Sequence, residues 1–382
     1  MMHLFEQIIL VSLTFALSFG LCALLIRAPG FLPDVPNHRS LHRDPTPRGG
    51  GLAFGISFLT SLGVVLFYFY PQFINESLIA FFVGSILVYL LGLMDDAYAL
   101  PALLRLSLQI LIALVLCSYG APEKIHFLGF LEFYGWPALL LQVFWVLTCI
   151  NLFNFMDGLD GLAGTQAFLW SLIFAFLLWV DPIHFNMPEV IELTDNLQDP
   201  AIYGILSFTY LSLGAAILGF LYWNMPPARL FMGDGGSYLL GFIFGFIGII
   251  LPYDPARTYP ANVEITVLWT SPLWVDHLMV FIVWLPFLLD PAFTIIRRLF
   301  SGENILRAHR EHLFQLFFRN GWPVSRILGF FLFVDLVFAV PFLLKIQGMQ
   351  YLRLLVLLLA LTLLFLVLYI LSYRRYIKTV RF

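Results

Sequence analysis

Residue types able to do chemistry concentrate in one stretch, Asn151-Leu-Phe-Asn-Phe-Met-Asp-Gly-Leu-Asp-Gly-Leu-Ala-Gly164, between the strongly apolar runs 139–150 and 165–180. Read as one helix, Asn151, Asn154, Asp157 and Gly161 recur at i, i+3, i+6 and i+10 and share a face, with Asp160 beside them. Carboxamides and carboxylates on one stripe at a membrane boundary are costly unless they bind something. Gly158, Gly161 and Gly164 let a ligand or another backbone come close. A polar helix end that merely happens to carry acids is the weaker reading.

Four further segments carry chemistry-bearing residues. The first ends Pro45-Thr-Pro-Arg-Gly-Gly-Gly51 and carries Arg39, Arg43 and two histidines upstream. It suits an anion site, with Arg48 and the amides of Gly49 and Gly50 able to approach a phosphate. Lipid headgroups are the competing partner for Arg39 and Arg43. Next comes Gly92-Leu-Met-Asp-Asp96, followed by Arg105 and Gln109. Adjacent carboxylates repel, so Asp95 and Asp96 make a base or a divalent-cation site. In Phe231-Met-Gly-Asp-Gly-Gly-Ser237, Asp234 sits in a turn just before an apolar helix. A hard oxygen ligand there suits Mg²⁺, and a helix start favours a nearby phosphate. Phe231 either stacks on a nucleobase or packs. The last segment carries His309-Arg310-Glu311-His312, with the histidines at i and i+3 able to face one pocket and contact phosphate or sugar. Glu303 and Arg307 form an i, i+4 helix pair. Asp290 and Asp335 fall in spans and read as internally paired structural acids.

The elements that must position these residues follow from composition. Of 382 residues 61% are hydrophobic and only 11% charged, which excludes an ordinary soluble domain. Apolar runs repeat at 4–26, 52–70, 78–94, 103–119, 137–155, 162–180, 201–223, 238–251, 278–300, 324–344 and 352–373. The expectation is one all-α polytopic membrane domain over 1–382, with about eleven transmembrane helices. The span at 238–251 is short and glycine-rich, and reads as tilted or broken. The first run lacks a basic flank and a small-residue cleavage site, so it reads as a retained span. Cys22, Cys117 and Cys149 lie inside apolar runs and read as small hydrophobes. Threading the chain with its C-terminus inside places sixteen of the 20 lysines and arginines in the cytoplasm. The N-terminus is then periplasmic and every motif lies in cytoplasmic segments. The outer loop 181–200 is acidic and carries no catalytic role.

Together these segments gather Asp95, Asp96, Asp157, Asp160 and Asp234 with glycine-rich turns and cationic side chains. Phosphoryl transfer needs that set: oxygen ligands for Mg²⁺ (with Mn²⁺ as a substitute), cations for spread charge and a carboxylate base. A membrane setting makes one substrate a lipid, and no nucleic-acid partner is expected.

The segments Pro45–Gly51, Gly92–Asp96, Asn151–Gly161 and Phe231–Ser237, in order and on one side, resemble the motifs of the polyprenyl-phosphate N-acetylhexosamine-1-phosphate transferase family, and the resemblance runs from about residue 35 to 319. The resemblance implies attack of undecaprenyl phosphate on the β-phosphorus of a UDP-N-acetylhexosamine in the bacterial inner membrane, with release of UMP. It assigns Asp95 and Asp96 to activating the lipid phosphate and to the metal. Asp157 and Asp160 become nucleotide and catalytic acids, Asp157 also a metal ligand, and Asp234 the Mg²⁺ ligand. Arg48, Arg105, Asn151, Asn154, Phe231, His309, Arg310 and His312 become substrate contacts, and a homodimer is allowed. Where the family's MurNAc-pentapeptide translocases carry a run of histidines, this chain has His309-Arg310-Glu311-His312. That departure favours the initiators of O-antigen-type glycans, with GlcNAc, FucNAc or QuiNAc donors. The translocase is the alternative within the class. A transporter is the alternative outside it, disfavoured because the acids cluster at one surface without repeated halves.

Overall fold

A computed structural model describes residues 3–28, 33–34, 45–121, 123–127, 131–184, 200–250, 277–304, 311–343 and 351–380. In chain order the helices are α1 (Leu4–Arg27), α2 (Gly50–Val64), α3 (Glu76–Tyr98), α4 (Ala102–Gly120), α5 (Trp136–Met156) and α6 (Leu162–His184). They continue as α7 (Pro200–Asn224), α8 (Asp234–Ile250), α9 (His277–Phe300), α10 (Leu313–Arg319), α11 (Val324–Leu343) and α12 (Tyr351–Val380). Every expected span coincides with one of these helices. Eight of them are, among the described residues, long and apolar enough to cross a membrane.

Local sequence sets the helix ends. The Asn75 side chain accepts the Leu78 N–H at 2.9 Å and starts α3. Ala99, left-handed at φ 48°, ends it, and Pro101 then precedes α4. Four features depart from the sequence expectation. The 238–251 span is one unbroken helix beginning earlier, at Asp234. The 52–70 span finishes in a π-helical turn, Val65–Phe69. The short α10 was not foreseen. Nor were the small antiparallel ladders, β1 (Pro33–Asp34) on β2 (Thr46–Pro47) and β3 (Lys124–Phe127) on β4 (Leu131–Tyr134).

Helix α8 lies at the centre, flanked by α2, α3 and α5, while α1, α6 and α7 pack together beside it. Lipid tails are as apolar as leucine, so association here depends on close packing rather than on burial from water. Large aromatics supply much of it. Phe153 of α5, Trp170 of α6, Phe244 of α8 and Trp284 of α9 are fully buried, with Trp170 and Trp284 centroids 4.9 Å apart. The outer faces are apolar instead of polar, as on α12 with Leu359, Leu363, Leu364 and Leu371 exposed. A lipid-facing bundle requires that inversion.

At the start of α8 the packing is backbone on backbone. A Cβ at Gly51 would lie 2.2 Å from the Gly236 nitrogen, and one at Gly92 only 2.4 Å from the Asp234 carbonyl oxygen. Helices α2 and α3 therefore wedge the first turn of α8 between them. Gly51→Ala should lower stability by about 1–3 kcal/mol, the range for overpacking a tight contact. Gly329→Ala, which meets nothing within 4 Å, should be neutral or mildly stabilising. Thermal unfolding of the two detergent-purified variants checks this, and equal behaviour refutes the wedge.

Candidate active site

The site is built around Asp234, the first residue of α8. Its backbone N–H and that of Gly235 donate to Asp96 Oδ1 and Oδ2, both at 2.9 Å. Its carboxylate accepts from Asn154 Nδ2 at 2.5 Å, and the same amide nitrogen lies 3.2 Å from Ser237 Oγ. One turn earlier on α5, Asn151 Nδ2 donates to Gln109 Oε1 of α4 at 2.9 Å and to the Leu147 carbonyl. Asp95 is buried and engaged: Oδ2 accepts from Arg105 Nη1 at 3.0 Å and from the Tyr238 hydroxyl at 2.7 Å, and Oδ1 accepts the Leu100 N–H.

The central stretch is not one continuous helix. Helix α5 ends at Met156, Asp157 closes it with φ −79° and ψ 46°, and a turn runs to Gly161 before α6 begins. The single-face arrangement therefore holds for Asn151 and Asn154 only. The glycines break the helix: Gly161 takes φ +74°, and its N–H is received by Asn224 Oδ1 at 3.0 Å. Asn224, buried at the end of α7, donates back to the Leu230 carbonyl, and Asp160 Oδ2 accepts the Ala228 N–H at 3.0 Å. Two turns, 157–161 and 225–233, are thereby tied into one platform.

The triple glycine also differs from expectation. The N–H groups of Gly49 and Gly50 both donate to the Phe231 carbonyl, at 3.1 and 2.8 Å, and that of Gly51 to Met232 at 2.8 Å. These amides do not face a phosphate; they stitch the start of α2 to the segment before α8. Phe231 enters through its backbone, receiving these donors and giving its own N–H to Pro47. Arg48 is held by Asp34 at 2.6 Å, with more than a third of its side chain still exposed.

His312 is buried, its Nδ1 3.6 Å from the buried Asp290, whose Oδ1 also accepts the Leu313 N–H at 2.6 Å. Asp290 is thus internally paired, as expected. His309 and Arg310, with Arg39, Arg43 and Arg307, lie outside the described residues. Glu303 pairs with Arg297 and Arg298 at 2.9 Å, and Glu311 also binds both arginines.

Burial of its carboxyl group pushes Asp157 well above the ordinary carboxylate range, and the charges of Asp234 and Asp96 push it further, with Asp160 adding a smaller push. Arg48 opposes the shift. Such crowding of like charge favours a cation. No three Asp, Glu, His or Cys side chains converge as a metal cage among the described residues. Mg²⁺ does not need one, since it is commonly held by one or two carboxylates with substrate phosphates and water. The hard oxygens of Asp157 and Asp234 fit that demand, and Asn154 keeps its amide oxygen available beside them.

Residues 78–252, which include Asp95, Asp96, Asn154, Asp157, Asp160 and Asp234, match the model of glycosyl transferase family 4. The chain is similar to that family over this stretch. Similarity over about three quarters of the chain agrees. The chain is 27% identical over 306 residues to a probable undecaprenyl-phosphate N-acetylglucosaminyl 1-phosphate transferase of Bacillus subtilis, covering 78% of this chain and 74% of that protein. It is 29% identical over 312 residues to a decaprenyl-phosphate N-acetylglucosaminephosphotransferase of Mycolicibacterium smegmatis, covering 79% and 72%. It is 28% identical over 303 residues to the undecaprenyl-phosphate alpha-N-acetylglucosaminyl 1-phosphate transferase of Escherichia coli K12, covering 76% and 70%.

The sequence reading missed the supports: Asp34, Tyr238, Ser237 and Asn224. Asn224 carried a signal, being a carboxamide at the end of an apolar run before Met-Pro-Pro. The raised Asp157 has a stability consequence. A carboxyl whose folded pKa exceeds its unfolded one favours the fold at low pH, and that contribution is lost as pH rises through the folded value. Metal-free wild type should therefore lose stability relative to Asp157→Asn as pH rises above the ordinary carboxylate range, by about 2 °C or more in melting midpoint. Parallel melting curves across that range would remove the assignment.

Proposed function

We propose that this protein transfers an N-acetylhexosamine-1-phosphate from a UDP-sugar to undecaprenyl phosphate, releasing UMP. The observation that carries this reading is the meeting of Asp157, Asp234 and Asn154 where apolar helices begin and end, in a chain similar to this family. An apolar bundle offers the prenyl chain its solvent, and its polar rim offers the phosphates their partners. A phosphate monoester ionises a second time near pH 6, so at neutral pH its oxygen is already an anion and a nucleophile. The attack forms a bond from that oxygen to the β-phosphorus. The bond between the β-phosphorus and the bridging oxygen breaks, and the electron pair leaves with UMP.

The chain's task is to bring two anions together. Asp157 and Asp234 would hold Mg²⁺, which would supply charge neutralisation for the diphosphate. Arg48 adds a fixed positive charge on the same side, kept in place by Asp34. Asn154 holds the Asp234 carboxylate in one orientation, and the Asn224 and Asp160 ties hold the Asp157 turn. Positioning and electrostatics of this kind carry most of the acceleration in phosphoryl transfer. The same reading places the motifs in the cytoplasm, with eleven crossings of the bacterial inner membrane and an outside N-terminus, supported by the distribution of Lys and Arg. GlcNAc is the favoured sugar, because all three relatives are named for it.

The test is purified protein with undecaprenyl phosphate and Mg²⁺, offered UDP-GlcNAc, other UDP-N-acetylhexosamines and UDP-MurNAc-pentapeptide separately. UMP release with an N-acetylhexosamine donor is expected. Release with the pentapeptide donor alone would transfer the protein to the translocase class, and none from any donor would end the reading. Asp157→Asn and Asp234→Asn should each lower turnover about 100-fold or more while inserting normally. Near-full activity in either removes that residue from the site.

A further inference from the structure

We infer that Asp96 is a positioning residue: from α3 it caps the first turn of α8 and thereby sets where Asp234 presents its carboxylate. The first amides of a helix have no acceptor within the helix and must find one elsewhere. The residue before α8 is Gly233, which has no side chain to offer. Asp96 fills the gap from another helix, each carboxylate oxygen taking one amide, Asp234 N–H on Oδ1 and Gly235 N–H on Oδ2. An acid at a helix N-terminus also meets the positive end of the helix dipole.

The surroundings are shaped to this cap. Gly233 has φ +80°, and a Cβ built on it would lie 2.7 Å from Asp96 Oδ2. A side chain at 233 would evict the carboxylate. Gly92, one turn before Asp96, lets α3 lie against the Asp234 carbonyl. Asp95 grips α8 one turn further along, through the Tyr238 hydroxyl, and is itself steadied by Arg105 and the Leu100 N–H. The two neighbouring acids therefore hold one helical turn at its beginning and its end. Asp96 acts on the reaction through Asp234, not by touching the reacting atoms.

This inference rests on the proposed role of Asp234, and its test separates the two. The first measurement is amide hydrogen exchange over 233–238 in metal-free protein. Asp96→Asn retains one acceptor oxygen and should speed exchange there about tenfold, the loss expected when an N-cap is weakened. Gly233→Ala, which leaves the acid in the chain but displaces it, should do the same if Asp96→Asn does not fold. The second measurement is UMP release against Mg²⁺ concentration. Asp96→Asn should need about tenfold more Mg²⁺ for half-activation, with the donor KM unchanged and activity recovered at high Mg²⁺. Unchanged exchange in the folded variants overturns the inference, as does turnover abolished at every Mg²⁺ concentration with exchange intact. Faster exchange in a protein whose wild type releases no UMP would uphold the cap while defeating the proposed reaction.

Discussion

Everything in this protein's polar end depends on one requirement: the free amides at the start of α8 must be satisfied at a membrane boundary. Water is scarce there and the neighbouring side chains are mostly hydrocarbon, so each unmet N–H is expensive. Asp96 meets two of them. To reach them, α3 must touch α8 backbone to backbone, which explains the glycine at 92. To leave α3 that room, α2 must approach from the other side through Gly51 against Gly236. The conspicuous glycines of three motifs are thus consequences of one capping geometry.

That geometry has an electrostatic side. Gathering Asp157, Asp160, Asp234 and the Asp95–Asp96 pair in a small volume would be untenable if all were equally exposed to one another. The structure separates them by occupation. Asp95 faces Arg105 and Tyr238, Asp96 faces helix amides, and Asp160 accepts the Ala228 N–H. Asp234 meets an uncharged amide, Asn154. Asp157 is left with burial and repulsion, and its raised proton affinity records this. The acids held by neither a cation nor a backbone amide, Asp157 and Asp234, are the ones a bound cation would serve, so the division of labour among carboxylates follows from their partners instead of their proximity.

Much of the architecture was legible in the sequence, because apolar runs of membrane-spanning length admit few alternatives. The participants in the site were also legible, since polar residues are conspicuous in such a background. Their division of roles was not. Asp95 and Asp96 look alike as neighbours, yet they point to different partners on α8, and only the packing of α3 on α8 reveals it. The continuous-helix reading of 151–161 failed because periodicity cannot register a chain break enforced by Gly161 at positive φ and by a distant Asn224. Gly49 and Gly50 resembled a phosphate cradle for the same reason: glycines serving a close backbone contact look like glycines serving an anion.

The placement of α10 extends the argument beyond the acids. A seven-residue helix is too short to stand alone, so its orientation must be imposed. Asp290, buried within α9, supplies it by accepting the Leu313 N–H and facing His312. The Phe314 ring then reaches the Asp157 turn, where a Cβ on Gly158 would come within 3.2 Å of it. An intramembrane acid thereby fixes a helix start, and that helix braces the loop carrying Asp157. It is the arrangement at α8 repeated with different residues: a carboxylate on one helix satisfies the first amide of another, and a glycine leaves space for the contact. In a bundle that gains little from burying apolar surface, such charged caps are the specific interactions available to set helix ends. The accuracy of the proposed site therefore derives in part from acids that fix where helices start.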